Sequence, residues 1–217
     1  MPASCSHSGP HSAAARYHRD FGYLRFVLIC DGCGDERADL GTEAYRPRAR
    51  PHRDSIAERV GRELGLPPDE IDRVRLAALL RDVGKEQVPR EVLAKPGPLT
   101  DREWSQVRRH PELSAALLAG PAYEEVRAWI QHHHERWDGR GYPEGLAAGA
   151  IPLEARVLAV IDAYEGMTNE RPYSPTFSHE EALHELWRGV GGQFDIAVVA
   201  AFQRAVELAP NGTRAAA

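Results

Sequence analysis

The chain has 217 residues, 42% of them apolar, and a formal net charge of −5. That length carries one well-cored domain with a small appendage, and the acidic balance speaks against nucleic acid as a partner. No apolar run is long enough to span a bilayer, Met1 to Ala15 lack the apolar stretch of a secretory signal, and three cysteines are an odd count for a disulfide framework, so the expectation is a cytoplasmic protein without a membrane partner.

Residues 1–20 are Ser, His, Ala and Pro with little to bury and read as a disordered tail. Tyr23-Leu24-Arg25-Phe26-Val27-Leu28-Ile29-Cys30 is rich in aromatic and branched residues and predicts a strand. Asp31-Gly32-Cys33-Gly34-Asp35 is turn chemistry, and a weaker strand from Arg37 to Tyr45 would complete a small β-hairpin. Residues 46–51, rich in Arg and Pro, read as a linker, so 21–51 form a small appended unit. Its Cys30-x-x-Cys33 is half of a zinc-ribbon pattern, and without a second pair it reads as a turn that holds no metal.

From His52 the pattern becomes helical. Ile56, Val60 and Leu64 recur at helix spacing over His52 to Leu66, and Gly65 ends the run. Pro67-Pro68-Asp69 opens a second helix with Ile71, Val74, Leu76, Leu79 and Leu80 on its apolar face. Thr100 and Glu103 make a capping box before a helix that reaches His110, where Pro111 starts another. Ala122 to His134 predicts one more helix, Glu135 to Ile151 a glycine-rich loop, and Pro152 to Thr168 a long apolar helix. Ser178 and Glu181 give a second capping box, and Asp195 caps a last helix over Ile196 to Leu208. Residues 52–209 therefore read as an all-α bundle, with 210–217 as a tail.

Three places in that bundle carry chemistry. Arg81-Asp82-Val83-Gly84-Lys85 puts a carboxylate and an ammonium at a helix end, although a plain C-cap explains it as well. Of 27 basic residues only Lys85 and Lys95 are lysine. His132-His133-His134 sits before the glycine-rich loop, and adjacent histidines on a helix point about 100° apart, so two of them can aim at one site. Asp162 lies in the apolar run Val157 to Tyr164, where a carboxylate must be paired, bind metal, or face outward with Glu165 and Asn169. Asp and His ligands on separate helices beside a lysine are what hydrolytic metal chemistry on a phosphoester needs.

In order, Leu79-Leu80-Arg81-Asp82-Val83-Gly84-Lys85, Lys95-Pro96-Gly97-Pro98-Leu99-Thr100, His133-His134-Glu135-Arg136-Trp137-Asp138-Gly139-Arg140-Gly141-Tyr142-Pro143, Ile151-Pro152-Leu153-Glu154-Ala155-Arg156, Met167-Thr168-Asn169-Glu170-Arg171-Pro172-Tyr173 and Gln193-Phe194-Asp195 resemble the HD-GYP family of the HD phosphohydrolase superfamily. The resemblance covers roughly His52 to Val206. It implies an HD-type helical bundle, hydrolysis of cyclic di-GMP and two or three bound metals, often iron or manganese, of which the ligands this chain retains would hold one or two divalent ions. It also implies roles: Asp82 bridges metals, His110, His133, His134, Asp162 and His52 ligate, and Lys85 and Arg171 hold substrate phosphate. Tyr142 touches substrate, and the Gly141-Tyr142-Pro143 loop lines the site or docks a diguanylate cyclase.

The chain departs from the family pattern at several positions. The His of the His-Asp pair is Arg81, a permanent cation that cannot bind metal and that pairs naturally with Asp82 or Asp162 where an ion would sit. Arg48 stands where relatives with a third metal carry Glu, and Ser174 replaces a common lysine. Two readings follow: a metal phosphodiesterase with reduced activity, or an inactive HD-GYP fold that serves as a cyclic-dinucleotide receptor or a protein-docking module in signalling.

Overall fold

The structure is a computed structural model that describes residues 55–118, 123–169 and 176–207 in full, and the backbone of three strands near the N-terminus. The chain divides into two compact units, residues 1–53 with 117–121 and residues 54–116 with 122–217. In the first, β1 (His11–His18), β2 (Tyr23–Cys30) and β3 (Glu36–Asp39) form an antiparallel sheet in that order, with an irregularity in the β2–β3 register between Leu28 and Ile29. The expected hairpin thus becomes a three-stranded sheet. β1 falls in the stretch expected to be disordered, because antiparallel pairing asks for backbone N–H and C=O groups, which an alanine-rich segment offers as well as a branched one. Cys33, residues 46–51 and residues 210–217 lie outside the described residues.

The second unit is helical. Ser55 caps α1 (Ile56–Glu63) by accepting from the Glu58 N–H at 3.2 Å, and Gly65 follows its end at φ +73°. The described helix therefore starts later than the pattern from His52 suggests, and His52 lies before the cap, outside the described residues. α2 (Pro68–Leu80) buries Ile71, Val74, Ala77 and Leu80, while Leu76 and Leu79 are half-buried. The short α3 (Arg90–Leu93) was not foreseen. Thr100 and Glu103 close a reciprocal box on α4 (Asp101–Val107), and α5 begins afresh at His110 (His110–Ala116). α6 spans Glu124–Gln131, α7 Leu153–Thr168, α8 His179–Arg188 behind its Ser178–Glu181 box, and α9 Ile196–Glu207. Asp195 Oδ1 accepts from the Ala197 N–H at 2.8 Å, which caps α9.

α7 is the centre of the bundle. Ala155, Val157, Leu158, Val160 and Ile161 are buried, and the helix packs against α1, α2, α6, α8 and α9. A helix apolar on nearly all sides is a core helix, which makes its half-buried Asp162 conspicuous. Among the described residues no helix is long and apolar enough to cross a membrane.

One close approach decides how the site is assembled. After α2 the chain turns through a 3₁₀ segment, Val83–Gln87, against α5. A Cβ on Gly84 would lie 2.4 Å from the His110 carbonyl oxygen and 2.5 Å from the Ser114 nitrogen. Backbone cannot yield as a flexible side chain does, so Gly84→Ala should destabilise the protein by about 2–3 kcal/mol. Urea unfolding checks this, and an unchanged midpoint contradicts the packing described.

Candidate metal centre

Three helix ends converge on the centre: the C-terminus of α2, the N-terminus of α5 and the C-terminus of α6. Ser114 on α5 fastens the first two. Its hydroxyl accepts from the Gly84 N–H at 2.8 Å and donates to the Arg81 carbonyl at 2.8 Å. This fully buried bridge sets Asp82 opposite His110, with Oδ1 3.4 Å from Nε2.

His110, His133 and His134 bring ring nitrogens within 4.8 Å of one another. His133 and His134 are not on α6 but in the turn past it, after the C-cap His132. Leaving the helix removes the 100° offset between neighbours, and the two rings lie 4.0 Å apart with a 40° tilt. His110 Nδ1 lies 2.7 Å from the Val107 carbonyl, and His133 Nδ1 lies 2.6 Å from the Ile130 carbonyl. A carbonyl only accepts, so Nδ1 carries the proton and Nε2 keeps its lone pair in both rings, the tautomer that ligates metal. The His133 Nε2 is buried with no hydrogen-bond partner among the described residues, and the His110 and His134 Nε2 atoms meet at 3.2 Å. The His110 Nε2 lone pair facing the His134 ring, beside a His133 Nε2 with no donor, fits a divalent cation.

Burial holds the imidazoles neutral: it lowers the His110 and His134 pKa and brings His133 down to about 3. The unfolded ring takes up its proton near pH 6.5, so the His133 contribution to folding is fully present above that pH and is lost as pH falls from 6.5 towards 3. In metal-free protein the His133 ring should stay neutral at pH 5 by NMR, and a midpoint near 6.5 would contradict its burial.

Asp82 completes the donor set. Burial raises its pKa, but Lys85 and Arg81 outweigh this and hold the carboxyl at about 2. Lys85 Nζ is 2.6 Å from Asp82 Oδ1. Arg81, the C-cap of α2, is 8% exposed. Nη1 donates to the Ala78 carbonyl at 2.6 Å, Nε to Asp162 Oδ1 at 3.2 Å, and Nη2 to Glu165; Asp82 Oδ2 stands 3.7 Å from Nε. Burial opposes its charge, and Glu165, Asp162 and Asp82 together more than offset that. Arg81 thus engages both carboxylates of α7 and stands beside Asp82, while Asp162 also lies close enough to His110 and His134 to favour their charged forms.

In the sequence Glu165 entered only through the alternative of a wet stripe with Asp162 and Asn169; in the structure it is a half-exposed partner of Arg81. The available signal was its i+3 spacing from Asp162, which puts both carboxylates on one face of α7. Glu135 was missed as well. It is 3% exposed, and its Oε1 accepts from the Glu144 and Gly145 N–H groups at 2.7 and 3.0 Å, which folds the glycine-rich loop back onto the histidines. A Cβ on Gly141 would meet the Arg136 nitrogen at 2.4 Å, so only glycine permits this fold-back. The loop then lays Tyr142 on His134, with centroids 4.9 Å apart and a 22° tilt. Among the other expected site residues, Arg171 and His52 lie outside the described residues.

A family model for the HD domain matches residues 40–198. The chain is 40% identical over 172 residues to the cyclic di-GMP phosphodiesterase response regulator RpfG of Xanthomonas campestris pv. campestris, covering 78% of this chain and 44% of that protein. It is 43% identical over 159 residues to a cyclic di-GMP phosphodiesterase of Pseudomonas aeruginosa, with 70% and 37% covered. It is 36% identical over 130 residues to 3'3'-cGAMP-specific phosphodiesterase 1 of Vibrio cholerae, with 59% and 30% covered. The chain thus spans less than half the length of each relative. Among solved structures, a cyclic GMP-AMP specific phosphodiesterase of Vibrio cholerae shares the fold at a TM-score of 0.52 and 21% identity, with 70% of this chain and 42% of that chain covered. With a helical bundle, a histidine cluster able to hold a divalent metal and a family match over most of its length, the chain belongs to the HD domain family.

Proposed function

We propose that this chain is an HD-GYP domain that binds cyclic di-GMP over a single divalent ion, iron or manganese, and hydrolyses it slowly or not at all. The observation that carries this reading is the Arg81 guanidinium, which holds Asp162 at 3.2 Å where the family resemblance implies a metal ligand. His110, His133, His134 and Asp82 would hold the ion. A divalent ion there supplies positive charge to a phosphoester oxygen and lowers the pKa of its bound water.

The remaining side chains bind and orient. Lys85 keeps 37% of its side chain exposed, so it can donate to a phosphate while it holds Asp82 ionised. Arg171 is the second phosphate contact in this reading, and His52 an additional ligand. Arg81 is not a phosphate contact, because its donors are already turned to Asp162, Glu165 and the Ala78 carbonyl. Tyr142, half-buried against His134, favours a site-lining role for the Gly141-Tyr142-Pro143 loop over docking of a diguanylate cyclase.

The test is a paired assay on the full chain loaded with manganese, in which cyclic di-GMP binding is titrated and linear product is followed over time. The reading expects saturable binding with slow or no product. Fast turnover contradicts the role given to Arg81, and no binding contradicts the receptor assignment.

A further inference from the structure

Beside the histidine cluster, α4, the start of α5 and the 142–143 loop enclose an open groove of about 490 Å³. This is within the usual range for small-molecule sites, about 300–1,000 Å³, and has room for a nucleoside. Its wall includes Trp104, which α4 leaves 44% exposed. The Arg108 guanidinium lies 5.7 Å from the Trp104 ring and 5.6 Å from the Tyr142 ring. Tyr142 in turn stacks on His134. A continuous row of planar groups (His134, Tyr142, Arg108, Trp104) therefore runs from the metal cluster into the groove.

The charges around that row are of both signs. Arg108 and Arg109 offer donors, and Asp101 and Glu112 offer acceptors; all four are exposed and line the groove. Guanine matches this pattern on two edges. Its O6 and N7 are acceptors that a guanidinium reads, and its N1–H and N2–H₂ are donors that a carboxylate reads. Splayed-out bases stack on aromatic rings and guanidinium planes while their edges are hydrogen-bonded. Adenine reverses the exchange, with an amino donor in place of O6 and an acceptor at N1.

We infer that this groove is a guanine subsite, in which the base stacks on Trp104, Arg108 or Arg109 reads O6 and N7, and Asp101 or Glu112 reads the N1–H edge. The inference rests on the cyclic-dinucleotide reading above and names the residues that give it base specificity.

The experiment is a calorimetric titration of the manganese-loaded full chain with cyclic di-GMP and, separately, cyclic di-AMP, for wild type, Trp104→Ala and Trp104→Phe. Metal content is measured on each sample. The subsite predicts cyclic di-GMP binding at least about tenfold weaker in Trp104→Ala, with most of the loss restored by Trp104→Phe and metal content equal throughout. It also predicts weaker binding of cyclic di-AMP by wild type. Equal cyclic di-GMP affinity in wild type and Trp104→Ala overturns the subsite alone, and equal affinity for the two dinucleotides overturns guanine recognition. If metal-loaded wild type binds neither, the cyclic-dinucleotide reading falls and the subsite with it.

Discussion

Arg81→His should raise the metal content from one ion per chain towards two. The substitution removes a buried cation and returns a neutral nitrogen donor beside Asp82. It also frees Asp162, whose Oδ1 now accepts from Arg81 Nε at 3.2 Å. A second ion would take over the charge that the guanidinium now supplies to Asp82, Asp162 and Glu165. Arg81→Ala separates loss of the cation from gain of a ligand: it leaves those carboxylates without a partner and offers no donor. Removing one member of a fully buried pair costs about 3–5 kcal/mol. Asp162 and Glu165 keep 26% and 39% of their side chains exposed, so the expected loss is nearer about 2 kcal/mol. Metal analysis and urea unfolding of the two variants check both statements. If Arg81→His leaves the metal content unchanged, the second site lacks a further ligand, and His52 is the first residue to examine.

His133→Ala should abolish the response to metal. Changes to groups that merely support a ligand weaken metal binding about 10–100-fold, so loss of a ligand should exceed about 100-fold. Wild type at a metal concentration about 100 times its dissociation constant gains about 2.7 kcal/mol of stability. The variant should gain nothing measurable at that concentration. A metal-induced thermal shift that persists in His133→Ala contradicts the geometry, in which the His133 Nε2 is buried with no hydrogen-bond partner among the described residues.

Much of this architecture was legible because local chemistry dictated it. Both capping boxes, at Thr100–Glu103 and Ser178–Glu181, form with both reciprocal bonds, since the pattern names the two groups that bond. The run over Pro152 to Thr168 was legible as a long apolar helix, whereas for Asp162 the sequence left both a partner and an outward face open, and the structure pairs it with Arg81. Arg81 was expected to pair with Asp82 or Asp162, and it lies against both.

The rest depended on tertiary context. That His133 and His134 lie past the end of α6 follows from where the C-cap falls, which periodicity sets only to within a residue or two. Ser114 and Glu135 have no local pattern, because their partners lie 30 and 9 residues away in sequence. β1 was missed because strand formation in an alanine-rich segment depends on its neighbour. The groove beside Trp104 gathers side chains from two helices and a distant loop, and no spacing in the sequence joins them.

Metal stoichiometry is the most direct test of the claim that a guanidinium stands in for one ion of the centre. Purified wild-type chain, loaded anaerobically with iron or with manganese and freed of excess, should carry one ion per chain. Alanine at His110, His133 or His134 should remove it. Two ions per chain in the wild type, with Arg81 in place, would contradict the account.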